Sequence, residues 1–481
     1  MSGLRLTLQW VADAVGGRIT SGDPAREIGN VVSDTRTLRP GDFFVALRGA
    51  RYDAHDFVGE AVEKGAAGLL VEGAGSKEQD PAYDDRRAGL VLQTRQDVGI
   101  IEVTDTTKAL QDFAHVVRVA SGTRVVAITG SAGKTTTKDT IAEFLGTTLR
   151  VVKNKGNLNN HIGLPLSLLQ LRERPDVAVM ELGMNHAGEI STLVAIAEPE
   201  VRVWTNVGDA HLGFFASPDA IADAKAEILE RAGADDLLVC NADDPRVMGR
   251  VAGFAGRTLT FGLSDGATVR ARDVEDLGID GMRARVVTAA GERQVRTPLL
   301  GRGNLANVLA ATTVALEFGV PLDDIVTAAA GLTPSERRGA VRRLRDAVVL
   351  IDDSYNSSPA ALRRALEVVA SETRNRRKVA VLGEMLELGA HSFSLHRECG
   401  EAAAAAGLGL LVAVGGEAAR ALAHAAVAAG MPASAVRYFE TSEQAAPAVA
   451  DAIRAGDLVL VKGSRGTRTD LVADRIAAER A

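Results

Sequence analysis

The sequence predicts an α/β protein in which parallel sheets are flanked by helices. Strand, loop and helix patterns alternate from Arg124 onwards, and the alternation restarts after Pro334, as in parallel sheets with helices on both faces. The chain has 481 residues, which is enough for about three domains. We therefore expect a small N-terminal α/β domain over 1–103, a central parallel-sheet domain over 104–333 and a C-terminal Rossmann-like α/β domain over 334–481.

Composition excludes several classes of function. The chain has 55 Lys and Arg against 62 Asp and Glu, a formal net charge of −7, and only 12 Phe, 4 Tyr and 2 Trp, so we expect no nucleic-acid partner. Cys240 and Cys399 make neither a disulfide framework nor a zinc motif. The longest uncharged apolar run, 402–416, is shorter than the ~20 residues of a membrane span. We expect a cytoplasmic protein without membrane insertion.

Individual elements follow from apolar runs and helical periodicity. The segment 41–57 predicts a strand, a glycine turn and a polar loop, and 105–120 predicts a helix. In the central region the predicted strands are Val125–Thr129, Val177–Met180, Val201–Thr205 and Leu237–Cys240. Alternation over 265–297 indicates an antiparallel excursion, followed by a helix at 304–318. The last region predicts strands Val348–Ile351, Val379–Leu382, Leu410–Val414 and Leu458–Val461.

The segment 125–139, VVAITGSAGKTTTKD, predicts a phosphate-binding loop between a buried strand and a helix. Glycines let successive N–H groups point at phosphate oxygens, and the helix N-terminus adds partial positive charge. Lys134 can reach the β and γ phosphates, and the Thr135 hydroxyl can bind Mg²⁺. The alternative is a glycine-rich turn that meets a lysine by chance. The predicted loop residues are Gly130, Ser131, Ala132, Gly133, Lys134, Thr135 and Thr136.

The nucleotide is expected to be ATP. A guanine-specific N-K-x-D segment is missing, because the Asn-Lys pair at 154–155 is followed by Gly and Asn. We interpret the central region as a phosphate-loop ATPase domain.

Three residues after the central strands are candidates for metal binding and catalysis. Glu181 ends an apolar strand, where a carboxylate beside a phosphate loop can hold Mg²⁺, although a capping or surface role is the alternative. His211 follows the next strand and is as well explained by a structural role.

Lys225 lies on the buried face of a helix that Ser217-Pro218 opens, because its neighbours at helical spacing are apolar. A buried lysine is driven towards its neutral amine, which can add CO₂ to form a carbamate able to bind Mg²⁺. Snorkelling along the helix is the alternative.

Other polar residues lie where a ligand would bind. Asn304 and Asn307 open a helix; asparagine amides can pair with adenine, although capping is the simpler role. In the last region the strand ends carry Asp352-Asp353, then Glu384, then Lys462 and Arg465, which can bind ribose hydroxyls, carboxylates or phosphates.

These pieces, in this order, resemble the Mur ligase family of peptidoglycan synthesis over nearly the whole chain. DDSYNSSP and VLGEMLELG are most similar to the member that joins D-alanyl-D-alanine to a UDP-N-acetylmuramoyl tripeptide. The other matching segments are SDTR, GDFFVALRGARYDAHDF, TGSAGKTTTK, GNLNNHIGLPLSLL, ELGMNHAGEI, NVGDAHL, AKAEIL, NADDP, GRGNLANVLAA and VKGSRG.

The resemblance implies a role for each candidate. The first domain would bind the UDP-sugar, the second ATP and the third the incoming dipeptide, in a monomer. Nucleotide binding would use Gly130 to Thr136, Asn304, Arg338 and Asp353. Catalysis would use Lys134, Glu181, His211 and Lys225; two Mg²⁺ ions would be held by Thr135, Glu181, His211 and carbamylated Lys225. Substrate binding would use Ser33, Arg36, Asn159, Asn160, Asn356, Ser357, Ser358 and Arg465.

The implied reaction activates the tripeptide carboxylate as an acyl phosphate, which the dipeptide amine then attacks. Gly303 stands where the family usually has a histidine, so the resemblance implies a weaker adenine contact at this position. Two other functions stay open: a related Mur-type or folylpolyglutamate-type ligase with another acceptor, and an ATP-dependent switch protein. The third residue of the peptide is not determined by the sequence.

Overall fold

The computed structural model describes residues 3–49, 52–73, 98–209, 212–374 and 377–481. Within these ranges the helices are α1 (Leu8–Val15), α2 (Val58–Glu63), α3 (Thr106–Ser121), α4 (Lys134–Leu145), α5 (Gly163–Leu168), α6 (Glu189–Ala197), α7 (Pro218–Ala226), α8 (Pro245–Met248), α9 (Gly301–Glu317), α10 (Leu322–Ala330), α11 (Pro359–Ser371), α12 (Ser392–Ala405), α13 (Glu417–Ala428), α14 (Ser442–Ala452) and α15 (Asp470–Glu479).

The strands in the same ranges complete an α/β fold. They are β1 (Arg18–Ser21), β2 (Val31–Val32), β3 (Phe43–Val45), β4 (Gly68–Glu72), β5 (Gly99–Val103), β6 (Arg124–Thr129), β7 (Val151–Lys153), β8 (Val177–Glu181), β9 (Val201–Trp204), β10 (Leu237–Asn241), β11 (Arg257–Gly262), β12 (Val269–Asp276), β13 (Met282–Thr288), β14 (Gly291–Thr297), β15 (Ala340–Arg343), β16 (Val349–Asp353), β17 (Arg377–Gly383), β18 (Leu410–Val414), β19 (Val436–Phe439) and β20 (Asp457–Lys462).

The chain divides into two compact units. The first consists of Met1–Ala127, Arg150–Gly183 and Ser191–Glu200, and the second of Ile128–Leu149, Met184–Ile190 and Val201–Ala481. The predicted α/β class is confirmed in both units, since each contains parallel strands and packed helices.

The first unit contains a five-stranded sheet in the order β1-β5-β4-β3-β2. Among the described strands of this sheet, β1 pairs antiparallel to its neighbour and the other pairs are parallel. The predicted helix at 105–120 is confirmed as α3, where the Asp105 carboxylate caps the first turn by accepting the Lys108 N–H at 2.9 Å. Phe113 on α3 packs its ring against Trp10 and Phe43, so aromatic contacts fix this helix on the unit's core.

The second unit contains the strands β9 to β14, which are adjacent in chain order. Pairing is parallel from β9 to β12 and antiparallel from β12 to β14. The predicted antiparallel excursion over 265–297 is therefore confirmed. Helix α9, predicted over 304–318, packs against α4, which brings the first turns of these two helices into one neighbourhood.

The same unit also contains a six-stranded sheet, here called the C-terminal sheet, in the order β15-β16-β20-β17-β18-β19. All four predicted strands of the last region are present and parallel. Helices α11, α12 and α13 contribute apolar residues to a buried cluster, and α14 and α15 to a second one. Both faces of the sheet are thus covered, which explains the continuous apolar runs of its central strands.

A polar junction links the antiparallel excursion to the end of α11. The buried Glu372 carboxylate accepts the Ile279 N–H at 3.2 Å and is bonded to the Arg374 guanidinium, which also pairs with Asp280. These bonds to Arg374 lower the pKa of Glu372 to about 2. Ile279 and Leu300 belong to the same apolar cluster as α11, so the junction continues the core of the C-terminal sheet.

No helix in the described part of the chain is both long and apolar enough to cross a membrane.

His396 is a fully buried histidine on α12. Its Nε2 accepts the Met385 N–H at 2.9 Å, and its Nδ1 lies 2.7 Å from the Ser392 carbonyl oxygen, to which it donates. Both bonds are satisfied by the neutral ring, and burial lowers the pKa of His396 below its ordinary value. The segment after β17 therefore depends on an uncharged histidine.

This arrangement predicts a loss of stability in mild acid. Below the unfolded histidine pKa of about 6.5, the unfolded chain binds a proton that folded His396 resists, so the free energy of unfolding falls by at most ~1.4 kcal/mol per pH unit until the folded pKa is reached. Urea unfolding from about pH 7.5 to about pH 5.5 should show this slope, and His396→Gln should reduce it.

The matched control is His424→Gln, because His424 is exposed on α13. That variant should keep the slope of the unchanged protein. An identical slope in all three proteins would contradict the prediction.

Candidate functional site

The predicted phosphate loop lies between β6 and α4, and its two glycines are required by close packing. Gly130 has φ 154° and Gly133 has φ 82°. A Cβ on Gly130 would lie 1.9 Å from Thr205 Oγ1, and one on Gly133 would lie 2.4 Å from Asn307 Oδ1. Both positions have positive φ, which favours glycine, and the loop backbone packs closely against Thr205 and Asn307.

The loop is tied to the segment that follows β9. The Ser131 N–H donates to the Asn206 carbonyl at 3.0 Å, and the Ala132 N–H donates to Asn206 Oδ1 at 2.9 Å. The Gly208 N–H donates to Ser131 Oγ at 2.8 Å. Two N–H groups expected to face phosphate are thus bonded to Asn206 in this structure, and the loop is held in shape by protein contacts.

Lys134 opens α4 and bends back over the loop. Its Nζ donates to the Gly130 carbonyl at 2.9 Å. Thr135, which is buried, and Thr136, which is half-buried, follow it in the first turn. The cap residue of this turn is Gly133, which has no side chain to offer. The start of the helix therefore combines its positive partial charge with the Lys134 ammonium group. Phosphate oxygens bound there would compete with the Gly130 carbonyl for Lys134.

Lys225 is placed on α7 as the sequence predicts. Ser217 caps the helix by accepting the Ala220 N–H at 3.2 Å, and Pro218 occupies its first turn. The Lys225 side chain is 1% exposed. Burial, and secondly the positive charge of Lys134, hold the pKa of Lys225 well below its usual value. Both effects disfavour the charged form of the Lys225 amine.

Glu181 lies in the first unit, at the end of β8, and is also buried. Its Oε1 accepts the Asn159 Nδ2 at 2.7 Å, while Asn154 bonds both the N–H and the carbonyl of Glu181 at 3.0 and 3.1 Å. Asn160, by contrast, bonds the first residue of α5, since its Oδ1 accepts the Gly163 N–H at 2.8 Å. Of the two predicted asparagines, Asn159 contacts the candidate carboxylate and Asn160 supports the helix.

Ser33 and Arg36 follow β2 in the first unit. Ser33 is half-buried and Arg36 is exposed. The Arg36 guanidinium binds both carboxylate oxygens of Asp34, with Nη2 to Oδ2 at 2.6 Å, and this pair lowers the pKa of Asp34. A phosphate that binds Arg36 would have to share it with Asp34.

Asn304 lies in the first turn of α9. Its Nδ2 donates to the Leu300 carbonyl at 2.9 Å, and its Oδ1 accepts the Asn307 Nδ2 at 3.1 Å. Because Asn307 packs against Gly133, the asparagine pair reaches the phosphate loop. His211 lies outside the described residues.

The carboxyl ends of the C-terminal sheet gather the remaining candidates. Lys462 Nζ donates to Asp353 Oδ2 at 2.6 Å and to the Asn356 carbonyl at 3.0 Å. The guanidinium carbons of Arg338 and Arg465 lie 4.0 and 5.9 Å from the centre of the Tyr355 ring. Two predicted nucleotide residues, Asp353 and Arg338, and two predicted substrate residues, Asn356 and Arg465, therefore lie around one segment.

The next two candidates lead into α11. The Ser357 N–H donates to Asn356 Oδ1 at 2.9 Å, and Ser358 precedes the first residue of the helix. Ser357 Oγ is buried and has no hydrogen-bond partner among the described residues. An unpaired buried hydroxyl at a predicted substrate site is a group that a bound ligand could satisfy.

Sequence reasoning missed Asn206 and Tyr355. Asn206 stands directly after β9, at the sheet edge where ligands bind, and that position could have drawn attention to it. Tyr355 lies inside the quoted DDSYNSSP segment, but its role in stacking two arginines depends on residues distant in sequence.

The fold and the phosphate loop together define a nucleotide-binding α/β protein with a separate parallel sheet at its C-terminus. Family models match three segments: "Mur ligase family, catalytic domain" at 27–118, "Mur ligase middle domain" at 128–315 and "Mur ligase, glutamate ligase domain" at 337–465. The chain belongs to the Mur ligase family, as the resemblance noted above predicts.

Individual relatives cover the chain almost end to end. It is 32% identical to the UDP-N-acetylmuramoyl-tripeptide–D-alanyl-D-alanine ligase of Bacillus subtilis, over 98% of this chain and 99% of the relative. Among solved structures, MurF from Acinetobacter baumannii is similar with TM-score 0.85 and 31% identity, covering 99% and 100% of the two chains. MurF ligase from Thermotoga maritima in complex with ADP is similar with TM-score 0.79 and 29% identity, covering 94% and 97%.

The close packing of the loop predicts the effect of Gly130→Ala. The added Cβ would overlap Thr205, so the loop must shift, and nucleotide affinity should fall at least about tenfold while overpacking destabilises the fold by about 1–3 kcal/mol. Isothermal titration with ADP and thermal unfolding would measure the two effects.

Gly319→Ala is the control, because Gly319 also has a positive φ, 79°, but a Cβ there would meet nothing within 4 Å. It should leave ADP affinity unchanged. Equal ADP affinity in Gly130→Ala and the unchanged protein would contradict the packing argument.

Proposed function

We propose that this protein is an ATP-dependent ligase that joins D-alanyl-D-alanine to UDP-N-acetylmuramoyl tripeptide, with ADP and phosphate as products. The observation that carries the proposal is the near full-length similarity to the Bacillus subtilis ligase of that name, combined with an intact phosphate loop. The ADP complex of the Thermotoga maritima relative supports ATP as the nucleotide.

The proposal includes the predicted assignment of one ligand to each domain. Residues 1–103 would bind the UDP-sugar, 104–333 ATP and 334–481 the dipeptide. The three family-model segments fall mostly within these spans, which supports the assignment. Ser33 and Arg36 of the first span would hold the UDP end, and Asn159 and Asn160 of the second span would line the tail of the tripeptide.

The chemistry has two steps. A terminal carboxylate oxygen of the tripeptide attacks the γ-phosphorus of ATP, the bond to the β-phosphate oxygen breaks, and an acyl phosphate and ADP result. The dipeptide's neutral amine then attacks the acyl carbon, the carbon–oxygen bond to phosphate breaks, and the amine loses a proton as the amide forms. Lys134 would carry positive charge to the transferred phosphoryl group, where negative charge accumulates.

Residues of the C-terminal sheet would position the nucleotide and the dipeptide. Asp353 and Arg338 suit a ribose hydroxyl and a phosphate, respectively. Asn356, Ser357, Ser358 and Arg465 would bind the dipeptide, with the Arg465 guanidinium for its carboxylate and Ser357 Oγ as a buried hydroxyl that gains a partner.

A magnesium site fits the donor chemistry of the proposed residues. Mg²⁺ prefers hard oxygen ligands, which Thr135, Glu181 and a carbamate on Lys225 would supply, with His211 as a further candidate. A carbamate on Lys225 would add an anionic oxygen donor to this set. The ion would neutralise phosphate charge during transfer.

Carbamylation of Lys225 is supported by its burial and its neighbour. The neutral amine adds CO₂ and releases one proton, which replaces a buried cation by an anion. That exchange turns the repulsion from Lys134 into attraction.

A substrate panel tests the proposed function. Phosphate release should require ATP, the UDP-muramoyl tripeptide and D-alanyl-D-alanine together, with mass spectrometry to identify the amide product. Release with glutamate and a folate in place of these substrates would favour a folylpolyglutamate-type ligase. Turnover indifferent to every acceptor would favour an ATP-dependent switch.

Removal of the Lys225 amine tests the carbamate. Lys225→Ala should abolish most activity, and short carboxylic acids should restore part of it because they supply the missing carboxylate. With ¹³C-bicarbonate, the unchanged protein should give a carbamate NMR signal that the variant lacks.

Lys225→Arg is the matched control, since arginine is also a long side chain but stays cationic and forms no carbamate. Acids should not rescue it, because the side chain still fills the site. Full activity of Lys225→Ala without added acid would sink the carbamate hypothesis.

A further inference from the structure

The loop after β9 connects the phosphate loop to the C-terminal sheet. We call its described residues, 205–209 and 212–213, the clasp loop. Its first half is bonded to the phosphate loop through Asn206 and Gly208, as described above. Its second half makes two contacts with elements of the C-terminal sheet, and neither contact is part of the proposed substrate or nucleotide site.

The first contact is an ion pair between Asp209 and Arg363. The Arg363 guanidinium on α11 lies 3.3 Å from Asp209 Oδ2 and 3.5 Å from Glu398 Oε2 on α12. Arg363 therefore stands between a carboxylate of the clasp loop and a carboxylate of its own sheet. The side chains of Arg363 and Asp209 are 36% and 27% exposed, so water screens the pair only in part.

The second contact is a backbone approach that only glycine allows. The Gly213 N–H donates to the Glu387 carbonyl at 2.7 Å. A Cβ on Gly213 would lie 2.8 Å from that oxygen and 2.9 Å from the Gly389 nitrogen. Glu387 adopts φ 65°, an unfavourable value for a residue with a side chain, which the surrounding contacts must hold in place.

Both contacts end on elements that carry proposed dipeptide residues. Arg363 lies one turn into α11, which begins directly after Ser357 and Ser358. The segment that holds Glu387 is bonded to the other dipeptide element, since the Leu386 N–H donates to Ser464 Oγ at 2.9 Å, beside Arg465. Described residues of the clasp loop thus contact the phosphate loop and both dipeptide-binding elements.

We propose that Arg363 is a positioning residue that aligns the dipeptide-binding elements with the phosphate loop through Asp209 of the clasp loop. This inference rests on the proposed function. Without the pair, the acceptor amine is delivered less accurately to the acyl phosphate, whereas the phosphate loop itself keeps its contacts. The simpler explanation is that Arg363 only stabilises α11 and α12. It predicts that removing the charge of Asp209 and removing the charge of Glu398 have the same effect on activity.

Three variants separate these explanations: Arg363→Gln, Asp209→Asn and Glu398→Gln. The first two should each lower kcat/KM for D-alanyl-D-alanine about tenfold, the size expected for a partly screened charged contact. The double variant Arg363→Gln/Asp209→Asn should be no worse than either single one, because the same contact is lost. Glu398→Gln should stay within about twofold, and Arg363→Lys should recover part of the loss.

Arg420→Gln serves as a fold control. Arg420 lies on α13, pairs with Glu417 at 3.1 Å and is 40% exposed, so it loses a comparable pair elsewhere in the same sheet. Arg420→Gln should therefore leave kcat/KM for D-alanyl-D-alanine unchanged. In Arg363→Gln, ADP affinity and the thermal midpoint of unfolding should stay near those of the unchanged protein.

A second readout does not depend on the chemical reaction. Hydrogen exchange should show that ADP protects amides of 384–389 in the unchanged protein and not in Arg363→Gln. This readout distinguishes the two proposals. If the unchanged protein has no ligase activity but still shows ADP-dependent protection, the proposed ligase function fails and the alignment role stands.

Three results would overturn the alignment role. They are unchanged kcat/KM in Arg363→Gln, a loss that Glu398→Gln reproduces, and equal ADP-dependent protection with and without Arg363.

Discussion

The direct packing of the phosphate loop's backbone against the segment after β9 is the constraint on which the rest of the site depends. This packing depends on Gly130 and Gly133, because both have positive φ and an added Cβ would crowd Thr205 and Asn307, respectively. Asn206 reinforces it by bonding two consecutive residues of the loop. The position of Lys134 and the reach of the clasp loop both follow from this packing.

The lysines of the site differ in their electrostatic surroundings. Lys134 is half-buried at a helix start, whereas Lys225 is enclosed and feels the charge of Lys134. Two positive charges in a region of low dielectric constant repel each other, and the more buried amine gives up its proton more readily. Lys462 illustrates the other solution, because its buried ammonium has the Asp353 carboxylate 2.6 Å away. Burial with a carboxylate partner favours a structural ion pair, and burial beside a cation favours a reactive amine.

Most of the architecture could be predicted because central parallel strands are continuous apolar runs. The strands β15 and β19 were missed since they are short, only partly buried edge strands that carry arginines. The phosphate loop and the burial of Lys225 follow from local spacing alone. The pairings of Asn206 with Ala132, of Arg363 with Asp209 and of Arg36 with Asp34 could not be predicted, because residue type does not determine which of several available partners a side chain meets. The predicted roles of the site residues stay predictions.

The junction around Ile279 has a consequence for how such proteins can be recombined. A chimera that exchanges the C-terminal sheet at Pro334 would separate Glu372 and Arg374 from the Ile279 N–H and Asp280, and would remove Ile279 and Leu300 from the apolar cluster that α11 shares. The buried Glu372 carboxylate would lose a hydrogen-bond donor, and apolar side chains at the edge of the cluster would become exposed to water. The unit of exchange that preserves these contacts includes residues 278–300 together with the C-terminal sheet, so the covalent linker and the physical boundary of the core lie at different places in the chain.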